Sequence, residues 1–333
     1  MRRLFLLLIL PLLVLSGLWL GAESLLVRGL RGGVGDEPAL QAAAITPLRD
    51  PRRFGARIDD LRWQGQDLGL RLPQATLWVS PRHPTEMRLA LPPQAGLELR
   101  GRAMALGLED AGARLRLRPL QGLEVASAHL LAGPLTLDGA PLAAGLRADA
   151  TAAAPGGDAP AGAGSAYDLD IALTALDLNA LAPGLRLPGL LDLAASGRAW
   201  LDRPPAAMGQ DGDRPLLAGL RIDDSELTLG GLRLRASGWL QPDAQGRLEG
   251  QIALYSPDSR QLLALAANSG LIPPGMVSFA GNMMESISSM PIVSARMRFR
   301  APAPGELRLP LSFAEGRASL GPLPLGAAPM FPR

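Results

Sequence analysis

The chain has 333 residues, 33 Lys+Arg against 31 Asp+Glu, two His and no Cys, and every basic residue is Arg. An apolar fraction of 47% excludes a wholly disordered chain; the lack of Cys excludes disulfides and thiolate or zinc–thiolate chemistry, and the lack of Lys excludes a Lys phosphate loop or Schiff base. The net charge of +2 is small, acids are interspersed with the Arg throughout, and aromatics are 4%, so the pI of 9.8 does not mark a basic surface and a nucleic-acid partner is not expected.

The first element is apolar. Arg2 and Arg3 precede Leu4–Ala22, nineteen residues without charge. As a helix they would extend about 28 Å, close to the thickness of a bilayer core. Pro11 is tolerated within a membrane helix, and Trp19 lies at the distal end, where an amphipathic ring favours the interface. A cleaved signal peptide and an uncleaved anchor both fit this pattern; Leu20-Gly21-Ala22 offers Ala at −1 but Leu at −3, and the run is longer than a signal core. Residues 1–24 are therefore read as an anchor or signal segment. Either way the body is expected outside the cytoplasm, at the bacterial inner membrane with its bulk in the periplasm. The Gly-rich run Gly29–Gly35 follows this segment, not a strand, and lacks the spacing of a dinucleotide loop.

From about residue 55 the pattern has period two. Leu115 and Leu117 alternate with Arg114, Arg116 and Arg118; Tyr167, Leu169, Ile171 and Leu173 alternate with Asp168, Asp170 and Thr174. Leu232 and Leu234 alternate with Arg233 and Arg235, and Leu307, Leu309, Leu311 and Phe313 form a further row. Alternation places one side-chain set on each face, so these are read as antiparallel strands with one apolar and one wet face. Turn signals such as Asp138-Gly139, Gly230-Gly231 and Pro242–Gly246 recur at short intervals, as in a long meander. The fold class expected is mainly β with a few helices (α+β): a long antiparallel meander forming a curved sheet or groove, preceded by one transmembrane helix.

Residues 25–150 are read as a β-rich N-terminal half. The segment 151–166, rich in Ala, Gly and Pro, is read as a flexible linker or loop, and 167–333 as a β-meander with helices. In that half Leu220–Leu229, Leu232–Leu240 and Arg247–Tyr255 predict three hairpin-linked strands. Ser256-Pro257 then opens a helix, and a second follows over Met276–Met290. A faint repeat pairs Arg57-Ile58-Asp59-Asp60 with Arg221-Ile222-Asp223-Asp224.

No motif carries chemistry. The doublets Asp59-Asp60 and Asp223-Asp224 project to opposite faces of a strand and read as solvated strand ends. His83 and His129 have no partner at metal or base–nucleophile spacing, so no catalytic, cofactor or metal residue is assigned. The methionines Met276, Met283, Met284, Met290 and Met297 read as gap-fillers of a core or as an adaptable lipid-facing surface. The candidate lipid-facing set is Met276, Met283, Met284 and Ile287 with Leu232, Leu234, Leu307, Leu309 and Leu311.

The closing segment Leu307–Met330, with Phe313, Gly316, Gly321, Pro322, Pro324, Leu325, Gly326 and Pro329, and the stretch Leu77–Pro92 resemble an uncharacterised bacterial envelope family, domain-of-unknown-function family twenty-one twenty-five. More distantly, the order of long meander, helix and final strands is similar to AsmA-like envelope proteins. That resemblance implies an anchored apolar sheet implicated in phospholipid transport. The expected function is a non-enzymatic periplasmic protein that shelters or transfers phospholipid, with the membrane as partner through the N-terminal helix. The alternatives are a structural or interaction module with a closed dry core, and an envelope hydrolase assembled across distant strands.

Overall fold

The computed structural model describes residues 27–32, 35, 39–50, 52–65, 67–181, 187–206, 215–257, 259–268, 277–288, 292, 294 and 296–332. The expected transmembrane segment lies outside the described residues, among which no helix is long and apolar enough to cross a membrane. The chain forms two compact units, Met1–Ala140 with Ala206–Asp213, and Pro141–Pro205 with Arg214–Arg333.

The first unit carries β1 (Leu40–Gln41), β2 (Ala44–Pro47), β3 (Phe54–Gln64), β4 (Leu68–Ser80), β5 (His83–Ala90), β6 (Gln94–Leu99), β7 (Arg102–Leu108), β8 (Gly112–Arg118), β9 (Glu124–Ala132) and β10 (Leu135–Leu137). β1 and β2 pair with one edge of β3, whose other edge pairs with β4. The sheet then forks. The first half of β4, Leu68–Arg71, pairs with β6, which leads to β7 and β10; the second half, Thr76–Ser80, pairs with β5, which leads to β8 and β9. Pro73 sits in the gap between the branches, where its missing N–H breaks no ladder bond on the open side. Opposite it Asp60 takes a left-handed backbone, φ 49°. Ile58 and Leu61, three residues apart across that irregularity, then pack into one cluster.

That cluster is the core of the unit: Val27, Ile45, Ala56, Ile58 and Ala75, with Leu30, Ala42, Leu61 and Leu89 against it. Val27 and Leu30 come from a helical turn, α1 (residues 27–32), and Arg31 Nη2 donates to the Ile45 carbonyl at 2.7 Å. The helix immediately after the N-terminal apolar run is thus docked onto this sheet.

The chain passes to the second unit at β11 (Ala140–Ala143). There the expected meander is complete: β12 (Gly145–Ala153), β13 (Ser165–Leu176), β14 (Leu191–Leu201), β15 (Leu217–Leu229), β16 (Leu232–Pro242), β17 (Leu248–Ser256), β18 (Leu307–Ala314), β19 (Arg317–Leu320) and β20 (Leu323–Ala327) each pair antiparallel with the next. The sheet is open, not a barrel. The segment 151–166, expected to separate two halves, lies inside this unit: Thr151–Ala153 end β12, Ser165–Ala166 begin β13, and the residues between connect a hairpin.

Three short helices complete the described chain: α2 (Leu178–Leu181), α3 (Ser259–Asn268) and α4 (Val277–Ser288). Ser256, expected as a helix cap, is the last residue of β17 and 1% exposed; the helix begins at Ser259 instead. α3 packs on α4, and α4 on β18. β19 pairs only with Leu311–Ala314, so Leu307–Pro310 extend past its end. α4 covers this edge, with Ser288 Oγ accepting from the Arg308 N–H at 2.8 Å, and so removes an open template for strand addition.

Candidate functional site

The second unit's sheet has one apolar face, and register assigns its members. One row crosses β13 to β16 as Leu173, Leu193, Leu227 and Leu234. A second crosses to β19 as Leu169, Gly197, Ile222, Gly238, Ile252, Leu311 and Leu320. The row at one end (Leu191, Leu229, Leu232) is buried, and so are Tyr167, Ala199, Phe313 and Ala318 at the other. There the returning chain adds Ala328 against Phe313 and Ala318. Between these rows Leu193, Leu227, Leu234, Ile222, Ile252 and Leu254 are half-buried and Ile171 is 38% exposed. The face is therefore closed at its ends and partly open in the middle.

A bulge keeps the face continuous. Asp223 is the extra residue of β15, so Ile222 and Ser225 stay on one side although three positions apart. Neither acidic doublet is a strand end as expected: Asp59-Asp60 and Asp223-Asp224 both lie mid-strand, at irregularities. One carboxylate of each doublet is held by Arg. Asp60 accepts from Arg62 Nη2 at 2.6 Å and from Arg71 Nε at 2.5 Å, and these hydrogen bonds, Arg62 first, hold its carboxyl below the usual range. Asp223 accepts from Arg221 Nε at 2.7 Å.

The opposite face of the same sheet is polar and carries a small cleft lined by Asp158, Pro160, Trp200, Arg221, Trp239 and Arg296, among others. Residues 154–164 dock here. Trp200 Nε1 donates to the Pro155 carbonyl at 2.8 Å, Arg221 pairs with Asp158 as well as Asp223, and Pro160 lies over Gly219, where a Cβ would come within 2.8 Å of it. The Arg221 and Arg296 guanidiniums stand 5.7 and 4.9 Å from the ring centroids of Trp200 and Trp239, within cation–π range.

Of the candidate lipid-facing residues, Leu232, Leu234, Leu307, Leu309 and Leu311 share the apolar face by register. Leu232, Leu307 and Leu309 are buried, while Leu234 and Leu311 are half-buried. On α4, Ile287 is 2% exposed, and a Cβ at Gly321 would stand 2.8 Å from it; Met283 and Met284 are half-buried. Met276 and Met290 lie outside the described residues. His83 opens β5 and His129 lies in β9, both exposed.

A bacterial family model, "Uncharacterized protein conserved in bacteria (DUF2125)", matches residues 51–329. The chain belongs to this family. The match to DUF2125 takes in both units and the closing strands β18 to β20. No curated protein and no solved structure matches the chain.

Proposed function

We propose that this DUF2125 protein is a non-enzymatic envelope protein, held at the inner membrane by Leu4–Ala22 with its body in the periplasm. In this reading the second unit's apolar face shelters a phospholipid acyl chain. The observation that carries it is the band of half-buried Leu and Ile side chains between two buried rows. An apolar band left partly in water is a surface that gains from a cover. At about 0.8 kcal/mol per buried methylene, a chain of some fourteen methylenes gains roughly 11 kcal/mol if fully covered, and about half that along an open face. The element order shared with AsmA-like proteins supports the same reading as an analogy of architecture only.

The test is lipid mass spectrometry on the detergent-extracted full-length protein beside an unrelated single-span protein. Enrichment of diacyl phospholipid is expected, with most of it lost in Leu234→Glu, which sets a charge in the middle of the band. Lipid no richer than in the control overturns the sheltering role.

A further inference from the structure

We propose that one end of the first unit's sheet rests on the anionic headgroup layer of the bilayer that holds the N-terminal apolar run. This relies on the anchoring part of the function proposed above and is independent of lipid sheltering.

The end in question is where β3 begins, β4 turns into β5, and β8 turns into β9. β3, β4, β5 and β8 are successive neighbours, so this edge spans about 14 Å. Arg52 and Arg53 precede β3, Arg82 lies in the β4–β5 turn, and Arg116 and Arg118 close β8. All five are exposed, and none is ion-paired among the described residues. The acids nearby are otherwise engaged or recessed. Glu86, opposite Arg116, is bound by Arg88 at 2.7 Å; Asp50 accepts from the Arg52 backbone N–H; Glu124, opposite Arg118, is half-buried.

Beyond Arg118 the chain makes a single 3-10 turn, Pro119–Gln121, closed by Gly122 in the left-handed region. At its tip Leu120 is 100% exposed. Arg118 Nη1 donates to Gln121 Oε1 at 3.3 Å and the Arg53 guanidinium stands 5.2 Å from the Trp78 ring centroid, but neither contact neutralises the charge. A fully solvated aliphatic side chain beside guanidiniums without a carboxylate partner suits the interface of an anionic bilayer, where the cations meet phosphates and the side chain enters the acyl boundary. A nucleic acid would use the cations and leave Leu120 in water.

The docking of α1 selects the bilayer. Val27 shares a buried cluster with Ala56 and Ile58. Ala56 is two residues, about 7 Å, from the start of β3, whereas Ile58 is six residues, about 20 Å, from its other end. The five residues from Ala22 to Val27 reach at most about 17 Å. A bilayer surface at the close of the apolar run is therefore within reach of this end of the sheet.

Because the sequence has no Cys, Leu120→Cys gives a single site for an environment-sensitive fluorophore on the full-length chain in nanodiscs. Blue-shifted, brighter emission is expected in discs containing phosphatidylglycerol, and water-like emission in phosphatidylcholine alone. In the phosphatidylglycerol discs the shift is expected to vanish on adding R116E/R118E. A label at Asp67→Cys, in the opposite β3–β4 turn, is expected to stay water-like throughout. Water-like emission at position 120 in the anionic discs overturns the proposal while leaving the anchor standing. An equal shift in both lipids, or one as large with a single-stranded oligonucleotide, overturns the headgroup assignment. Failure of the chain to enter discs removes anchor and proposal together, and lipid co-purification is scored separately.

Discussion

Gly321, in the β19–β20 turn, has φ 56°, and a Cβ there would stand 2.8 Å from Ile287 Cγ2. Gly321→Ala therefore meets left-handed strain of about 1–2 kcal/mol as well as a clash with a buried side chain of α4. Chemical denaturation is expected to show at least that loss. Asp243 acts differently, by bonding its own turn. Its Oδ1 accepts from the N–H groups of Gln245 and Arg247, each at 2.8 Å, and Oδ2 accepts from Arg247 Nε. The Arg247 N–H leads in holding its carboxyl below the usual range, with Gln245 and the Arg247 guanidinium adding to it. A depressed folded-state pKa gives stability that is complete above the unfolded carboxylate value of about 3.9 and is lost as pH falls through the lower one. The melting-point gap between wild type and Asp243→Asn is expected to be widest near neutral pH and to close on acidification. A gap that widened in acid would contradict the sign. Asp243 was visible in sequence within the turn signal Pro242–Gly246, and Gly321 only as part of the closing family segment; what Gly321 approaches was not, because Ile287 is 34 positions away.

For elements, period two placed the strands around Leu115–Leu117, Tyr167–Leu173, Leu220–Tyr255 and Leu307–Phe313 and assigned their Leu rows to one face. It erred where the phase slips. At Asp60 and at Asp223 the alternation breaks mid-strand, and a doublet of exposed acids reads in one dimension like a strand end. The segment 154–164 misled for another reason. Its Ala, Gly and Pro have no apolar period, but its attachments come from backbone carbonyls, one carboxylate and Pro160, which composition does not display. Arg221 holds it from below, shared between Asp158 and Asp223. Arg221→Ala is expected to speed hydrogen exchange at Ala163, whose N–H bonds to the Pro160 carbonyl, while the β13–β14 ladder stays protected. Equal protection in the variant would show that Trp200, Arg198 and the packing of Pro160 on Gly219 suffice to hold the loop. Further inside, Ile58→Ala opens space in the cluster of Val27, Ile45, Ala56 and Ala75, and is expected to cost about 2–5 kcal/mol in equilibrium unfolding.

At the scale of the molecule, mainly-β architecture and the meander of the second unit were legible, and the division into units was not. The boundary falls at Ala140–Pro141, within a short strand and without a composition shift, while the compositional break at 151–166 is internal to one unit. The basic edge of the first unit was equally hidden. Its five Arg are spread over residues 52–118 and separated by acids in the text, and only the fork gathers them. Interspersed charge in a sequence therefore does not imply interspersed charge on a surface.

β4 serves two sets of neighbours along a single backbone, and Pro73 marks the junction. One residue added between Arg71 and Thr76 would leave the β6 branch in step and rotate everything after it. Thr76–Ser80 would then present its outward side chains to β3, β5 and, through β5, to β8 and β9 as if they were inward ones. The same residue added in the exposed turn at Pro81–Arg82 would disturb no ladder. Tolerance to length change along this stretch should thus fall from free to lethal within ten positions, a gradient that a scan of single-residue insertions, scored by soluble yield, would trace directly.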